Sequence, residues 1–233
     1  KWLMVDCGIG FAGDYLPGVD VVVPDVSFIA EHKKDLLGLV LTHAHEDHVG
    51  AVPYVWRDLE CPIYATPFTA AFLRHKVEEM GPGRKPKIIE VPVGGKIELA
   101  PFSIEMVELT HSILEMQALA IRTPKGVVLH TGDWKFDEAP LVGPVSNYAS
   151  LQTLGNERVL AMVCDSTNVF VEGDSGSEGE VKTHLEAAIR QCKDRVVVST
   201  FASNFARVKT IIEAADAAGR VVALAGRSLW RVV

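Results

Sequence analysis

Gly38-Leu39-Val40-Leu41-Thr42-His43-Ala44-His45-Glu46-Asp47-His48 decides how this chain is read. Its first five residues form a short apolar run of the kind that a buried strand presents. Directly after it, His43, His45, Asp47 and His48 stand at positions i, i+2, i+4 and i+5. A strand exit followed by a helix-like segment, His48 to Leu59, fans imidazoles and a carboxylate around one point, which is how borderline divalent cations are gripped. A surface loop that merely happens to be polar accounts less well for such donors at that spacing.

Two further segments carry donors at strand ends. Met106 to Thr110 leads to His111-Ser112, and Val127 to Thr131 leads to Gly132-Asp133. Taken singly, each is weak, because a histidine after a strand is commonly a hydrogen-bonded rim residue and Thr-Gly-Asp a common turn. Together with the first stretch they supply a divided donor set.

At 233 residues the chain can bury a substantial core. Hydrophobic residues make up 48% and charged residues 23%, the proportions of a soluble globular protein. No apolar run approaches the ~18 residues of a membrane span, and the start shows no signal pattern. No membrane partner and a cytoplasmic location are therefore expected. The cysteines, Cys7, Cys61, Cys164 and Cys192, are scattered and form no Cys-x-x-Cys pair. Cys7 and Cys164 lie in strand-like stretches and read as buried, inert thiols, which suits a reducing compartment. The net charge of −7 argues against broad attraction to nucleic acid. It leaves a nucleic-acid substrate open, since bound divalent ions can dominate the field in their own cleft. The basic clusters Arg74-His75-Lys76, Arg84-Lys85 with Lys87, and Arg190 with Lys193 and Arg195 read as solvated faces.

Short strand-like runs crowd the first half: Trp2 to Asp6, Val19 to Val23, Leu36 to Thr42, Pro62 to Ala65, Lys87 to Val91, Phe102 to Val107, Gln117 to Arg122 and Val127 to Thr131. Pro67 to Met80 is the clearest helix, with Thr66 as N-cap and Gly81-Pro82-Gly83 as its stop. Many strands with few helices between them predict packed sheets covered by helices. Residues 143–157 read as a loop, followed by a strand from Arg158 to Cys164. Ser177-Glu178-Gly179-Glu180 fits a capping box that opens a helix over Glu180 to Cys192. A strand from Arg195 to Thr200, a helix from Asn204 to Gly219 and a strand from Arg220 to Ala225 then predict a parallel-sheet unit. The chain starts inside a strand and stops soon after Gly226, so a fragment of a longer protein is expected.

His-x-His-x-Asp-His, a lone histidine and then Gly-Asp at successive strand ends resemble the metallo-beta-lactamase superfamily. Cys164-Asp165-Ser166-Thr167-Asn168, Ser175-Gly176-Ser177-Glu178, Thr200-Phe201-Ala202-Ser203-Asn204 and Gly226-Arg227-Ser228 narrow the likeness to the beta-CASP nucleases, most closely ribonuclease J. The resemblance implies an α/β fold, a metallo-beta-lactamase αββα sandwich over residues 1–172 without its first strands, then the start of a βαβ beta-CASP domain over 173–233. It implies two divalent metal ions, zinc by preference, with manganese or magnesium as alternatives. His43, His45 and His111 would hold one ion, Asp47 and His48 the other, and Asp133 would bridge them. A hydroxide activated by the two ions would attack an RNA phosphodiester, a chemistry that such paired ions suit. Asp47 is the candidate catalytic residue, positioning or deprotonating the water.

Asp6 matches the superfamily's first aspartate and is expected to orient the ligand loop from behind. Asp165 matches the beta-CASP acidic motif and is expected to orient a histidine that this sequence does not match. Ser203, Asn204 and Arg227 are candidate phosphate-binding residues at helix starts, where unpaired amides favour anions; ordinary N-capping competes for the same groups. The sequence departs from the ribonuclease J pattern at Leu114 and Gly176, where proline is usual. The implied function is a metal-dependent ribonuclease, 5′ exonuclease or endonuclease, in RNA processing or decay, with RNA as substrate and a homo-oligomer or RNA-decay complex as its assembly. A DNA-directed beta-CASP nuclease and a non-catalytic scaffold that binds RNA or metal are the competing readings. A small-molecule hydrolase predicts a chain that ends soon after the Asp133 segment.

Overall fold

The computed structural model describes residues 1–226 and 228–231. The chain divides into two compact units, one of Lys1–Glu108, Glu115–Gly132 and Asn147–Cys164, the other of Leu109–Leu114, Asp133–Ser146 and the residues from Asp165 on.

The first unit runs β1 (Trp2–Val5), α1 (Ser27–Glu31), β2 (Leu36–Val40), α2 (Glu46–Val49), α3 (Val52–Leu59), β3 (Ile63–Ala65), α4 (Pro67–Glu79), β4 (Ile88–Glu90), β5 (Lys96–Leu99), β6 (Phe102–Glu108), β7 (Gln117–Thr123), β8 (Gly126–His130), α5 (Tyr148–Gly155) and β9 (Val159–Val163). Strands β1 to β4 form a four-stranded parallel sheet in sequence order. Strands β5 to β9 form a five-stranded sheet, antiparallel except for the final β8–β9 pair.

Strand period decides which side chain goes where, because successive residues point to opposite faces. From β2 and β3, Leu39, Ile63 and Ala65 join a core that also takes Val52, Val55, Trp56 and Leu59 of α3 and Ala70, Leu73 and Val77 of α4. Val40 and Tyr64 face the other way, into a second core with Ile97, Ile104, Met106, Leu119 and Ile121 of the second sheet. One sheet face thus carries helices and the other carries the second sheet. Each large aliphatic side chain buried this way contributes about 1.5–3 kcal/mol.

Helix ends follow local chemistry. Pro67 opens α4 at its first turn. Glu60 closes α3 in a left-handed conformation, its N–H donating to Trp56 O at 2.8 Å. Glu108 ends β6 next to Glu115, and burial followed by that like charge raises its pKa.

Several local expectations are corrected. The helix read from His48 to Leu59 breaks at Gly50-Ala51 into α2 and α3. Val19 to Val23 forms no strand among the described residues; Val22 makes an isolated bridge to Gly10. Residues 143–157 contain α5, because Asn147 is its N-cap, accepting from Ser150 N at 3.0 Å. β5 went unread, being four residues long with charged Lys96 and Glu98.

In the second unit, α6 (Glu178–Gln191) and α7 (Phe205–Ala217) pack together, burying Ile189, Ala206, Val208 and Ala214. The capping box forms as read: Gly179 N donates to Ser177 Oγ at 3.0 Å and Ser177 N to Glu180 Oε2 at 3.3 Å. Asp137 braces the same helix start, accepting from Glu178 N at 3.0 Å. The strands expected over Arg195 to Thr200 and Arg220 to Ala225 form no ladder among the described residues. A strand exists through its neighbour's hydrogen bonds, and here Val197 and Val221 stand in solvent at 86% and 100% exposure.

Candidate metal centre

The first unit holds His43 and His45 on the turn between β2 and α2, and Asp47 and His48 in the first turn of α2 itself. The turn is clipped to the end of β1 by main-chain bonds: Cys7 N to His48 O at 2.6 Å, Ile9 N to Glu46 O at 3.0 Å and Ala51 N to Cys7 O at 3.0 Å. Such an approach needs a glycine. A Cβ on Gly8 would lie 1.6 Å from Asp47 O.

Within this turn His43 Nε2 and His45 Nδ1 are 3.1 Å apart. The His43 and His48 ring centroids are 4.1 Å apart, and His48 Nε2 is 3.7 Å from Asp47 Oδ2. His43 is fully buried, whereas the Asp47 side chain is 65% exposed and so open to water.

Asp6 sets the imidazole orientations. Its Oδ2 accepts from His48 Nδ1 at 2.7 Å and from Thr42 Oγ1 at 2.7 Å, and its Oδ1 accepts from Thr42 N at 2.8 Å. Since the single Thr42 hydroxyl proton goes to Asp6, Thr42 Oγ1 accepts from His43 Nδ1, 3.0 Å away. Nδ1 of each ring then carries a proton, and in a neutral ring that leaves the lone pair on Nε2, the form in which imidazole binds a metal. Asp6 itself adopts φ +56°, an uncommon conformation for a residue with a Cβ.

Glu46, inside the motif, is held by Lys76 of α4, whose Nζ donates to Oε1 at 2.6 Å and to Oε2 at 2.5 Å. Sequence reading missed this anchor and placed Lys76 on a solvated face. Helical spacing from Thr69, Ala70, Leu73 and Val77 could have turned Lys76 toward the core side. Arg74 and Arg84, read the same way, pair with Glu90 at 2.5 Å and Glu60 at 2.6 Å.

His111 and Asp133 belong to the second unit, where each offers a ligand atom within 4.8 Å of the other. Their segments are joined by Lys135 N donating to Thr110 O at 3.0 Å, and by Ser146 Oγ, which accepts from Thr110 N at 2.8 Å. Ala206 N of α7 donates to Ser112 O at 3.2 Å. Asn204 caps α7, its Oδ1 accepting from Arg207 N at 2.8 Å, so that oxygen is committed to the helix. Ser203 precedes it, its carbonyl accepting from Phe205 N at 3.2 Å. Asp165 accepts from Thr167 N at 2.9 Å and Thr167 Oγ1 at 2.6 Å, a local cap. Arg227 lies outside the described residues.

The chain thus carries a His/Asp set able to hold a metal ion. Imidazole nitrogens and carboxylate oxygens suit a borderline divalent cation, so the donor chemistry fits the ions that the sequence resemblance implies. No cysteine belongs to that set; burial pushes the Cys7 thiol up to about 11, with Asp6 and Cys61 adding to it, and burial does the same for Cys61.

The metallo-beta-lactamase superfamily pattern, Lactamase_B, matches residues 1–160, and the Ribonuclease J beta-CASP domain pattern matches residues 193–233. Among curated proteins, "Ribonuclease J" of Sinorhizobium meliloti is 47% identical over 233 residues, covering 100% of this chain and 41% of its own length. "Ribonuclease J" of Corynebacterium glutamicum is 41% identical, covering 99% and 32%, and that of Thermus thermophilus 37% identical, covering 98% and 41%. The chain therefore spans about a third to two fifths of the length of these relatives. A crystal structure of a protein of unknown function from Enterococcus faecalis V583 shares the fold, with a TM-score of 0.61, 18% identity, and coverage of 91% of this chain and 58% of that one. No helix among the described residues is long and apolar enough to cross a membrane.

Proposed function

Since the chain belongs to the metallo-beta-lactamase superfamily, with ribonuclease J and its beta-CASP domain as its nearer likeness, we propose that it is the nuclease part of a metal-dependent ribonuclease that hydrolyses RNA phosphodiesters in RNA processing or decay. The observation that carries this reading is the Asp6–Thr42–His43 and Asp6–His48 network, which prepares two imidazoles for a cation in advance. The whole-chain likeness to proteins named Ribonuclease J supports RNA as the substrate.

His43, His45, His111 and Asp133 are the proposed holders of one ion, and Asp47, His48 and Asp133 of the second, with Asp133 shared. Zinc is the proposed metal, because histidine nitrogens dominate the first set. When bound, a pair of such ions acidifies water and clamps phosphoryl oxygens during in-line attack. Asp47, with its open carboxylate, would position or deprotonate the attacking water. Asp6 and Thr42 hold the imidazoles still while this happens, so no reorientation adds to the barrier. The domain assignment that accompanies this proposal is a metallo-beta-lactamase domain over residues 1–172 and a beta-CASP portion over 173–233. Asp165 is proposed to orient a partner side chain, and Ser203, Asn204 and Arg227 to meet RNA phosphate.

The test is the full-length polypeptide with end-labelled 5′-monophosphate RNA, with and without chelator. Cleavage that chelator abolishes and added zinc or manganese restores is expected. Metal-loaded protein that leaves the RNA intact would overturn the ribonuclease reading in favour of a scaffold.

A further inference from the structure

Gln117 is a fully buried polar residue that the proposed reaction does not use. Its Oε1 accepts from Gly94 N at 3.1 Å, and its Nε2 donates to the carbonyls of Met116 at 2.9 Å and Glu115 at 3.2 Å. Its main-chain N–H donates to Thr42 O at 3.0 Å. A buried amide satisfied on both its donor and acceptor sides specifies one local arrangement.

The backbone held by that amide is strained. Glu115 has φ +58°, a left-handed conformation that is disfavoured for a residue with a Cβ. Its carboxylate reaches the first turn of α4 and accepts from Phe68 N at 2.8 Å, where the N-cap Thr66 makes no side-chain cap. Met116 is equally buried. A Cβ on Gly132, at φ +56°, would lie 2.5 Å from Met116 Cε and 3.4 Å from both Gln117 O and Thr42 Cβ. The Gln117 main chain therefore binds Thr42, the residue before His43, and the Met116 side chain packs against Gly132, the residue before Asp133.

We propose that Gln117, acting with Met116, is a positioning residue for metal binding: it fixes the spacing of Thr42 and Gly132, from which two ligand-bearing turns start. This rests on the metal-dependent reading above and adds a residue to it. Strain at Glu115 persists because the surrounding bonds over-determine it, so removing the amide releases the knot without touching any ligand.

Gln117→Met keeps length and volume but strips the donor and acceptor from the side chain. Zinc affinity of the full-length protein is measured by competition with a chromogenic chelator, alongside thermal unfolding of the stripped protein. Affinity is expected to fall about 10–100-fold, as for other groups that orient metal ligands, while the stripped variant still unfolds cooperatively. Affinity equal to the parent's in a folded variant overturns the proposal. If the variant does not fold, Met116→Leu asks the same question by withdrawing Cε from Gly132: weaker zinc binding supports it and unchanged binding overturns it. A parent protein that binds no zinc sinks the metal-dependent reading itself and this inference with it.

Discussion

Asp6 and His48 are 42 residues apart in sequence and joined by a 2.7 Å hydrogen bond from Nδ1 to Oδ2. The same oxygen takes the Thr42 hydroxyl, whose own lone pair faces His43 Nδ1. One carboxylate at the end of β1 therefore sets the tautomer of two imidazoles, one directly and one through a threonine.

Asp6→Asn tests that role. Asparagine tolerates the left-handed backbone that Asp6 adopts, so the fold is expected to persist. One of its two side-chain positions becomes a donor and can no longer accept from Thr42 or His48. Zinc affinity should drop about 10–100-fold with an unchanged circular dichroism spectrum. Parent-like affinity would show that the carboxylate does not organise the ligands.

Gly8→Ala should act on stability. Its new Cβ would overlap the Asp47 carbonyl, and a backbone atom cannot swing aside as a flexible side chain can. Overpacking of this kind costs about 1–3 kcal/mol or more, read as a lower urea midpoint. A midpoint equal to the parent's would mean that the turn carrying Asp47 yields freely.

Asp137 ties acid stability to the start of α6. Burial pushes its pKa up, but the amides of Glu178 and Ala139, the Ser177 hydroxyl and Lys135 outweigh burial, and the net direction is down from 3.8. A depressed folded value means that its stabilisation is complete above the ordinary carboxylate value and lost as pH falls through the lower, folded one. Asp137→Asn is expected to weaken the protein at neutral pH and to flatten the stability loss over the acid range, followed by far-ultraviolet circular dichroism. Parallel acid curves for variant and parent would remove Asp137 from the account.

Thiol labelling should separate the cysteines. Cys7 and Cys61 are buried with pKa values pushed to about 11, so little thiolate exists to react near neutral pH. Cys192 is exposed. Brief iodoacetamide treatment and peptide mass mapping should find Cys192 modified and both buried thiols intact. Equal labelling of Cys7 in native protein would contradict the closed contact between β1 and the metal turn.

Periodic and capping signals were legible in the sequence where they were local. Thr66 and Pro67 marked the start of α4, and Ser177 with Glu180 marked that of α6. Loop residues misled at 143–157, where Asn147 proved to be a cap rather than part of a continuous loop. Ala51 N, donating to Cys7 O at 3.0 Å and not back along the helix, splits a helix that apolar spacing alone ran together. Arg195 to Thr200 and Arg220 to Ala225 have strand composition without a ladder among the described residues, since composition cannot supply a partner edge.

The order of residues by itself singled out the candidate ligands, because a strand exit followed by His-x-His-x-Asp-His keeps those side chains neighbours through local geometry. It also carried the likeness to a family. Only the tertiary structure decided what braces the segment that carries them: Asp6 beneath His48, Lys76 on Glu46, and Gln117 locked between Gly94 and Thr42. Those partners lie 23 to 75 residues apart in sequence, or within that span. A hydrogen bond over such a separation leaves no periodic trace, since it exists only after sheets and helices have packed.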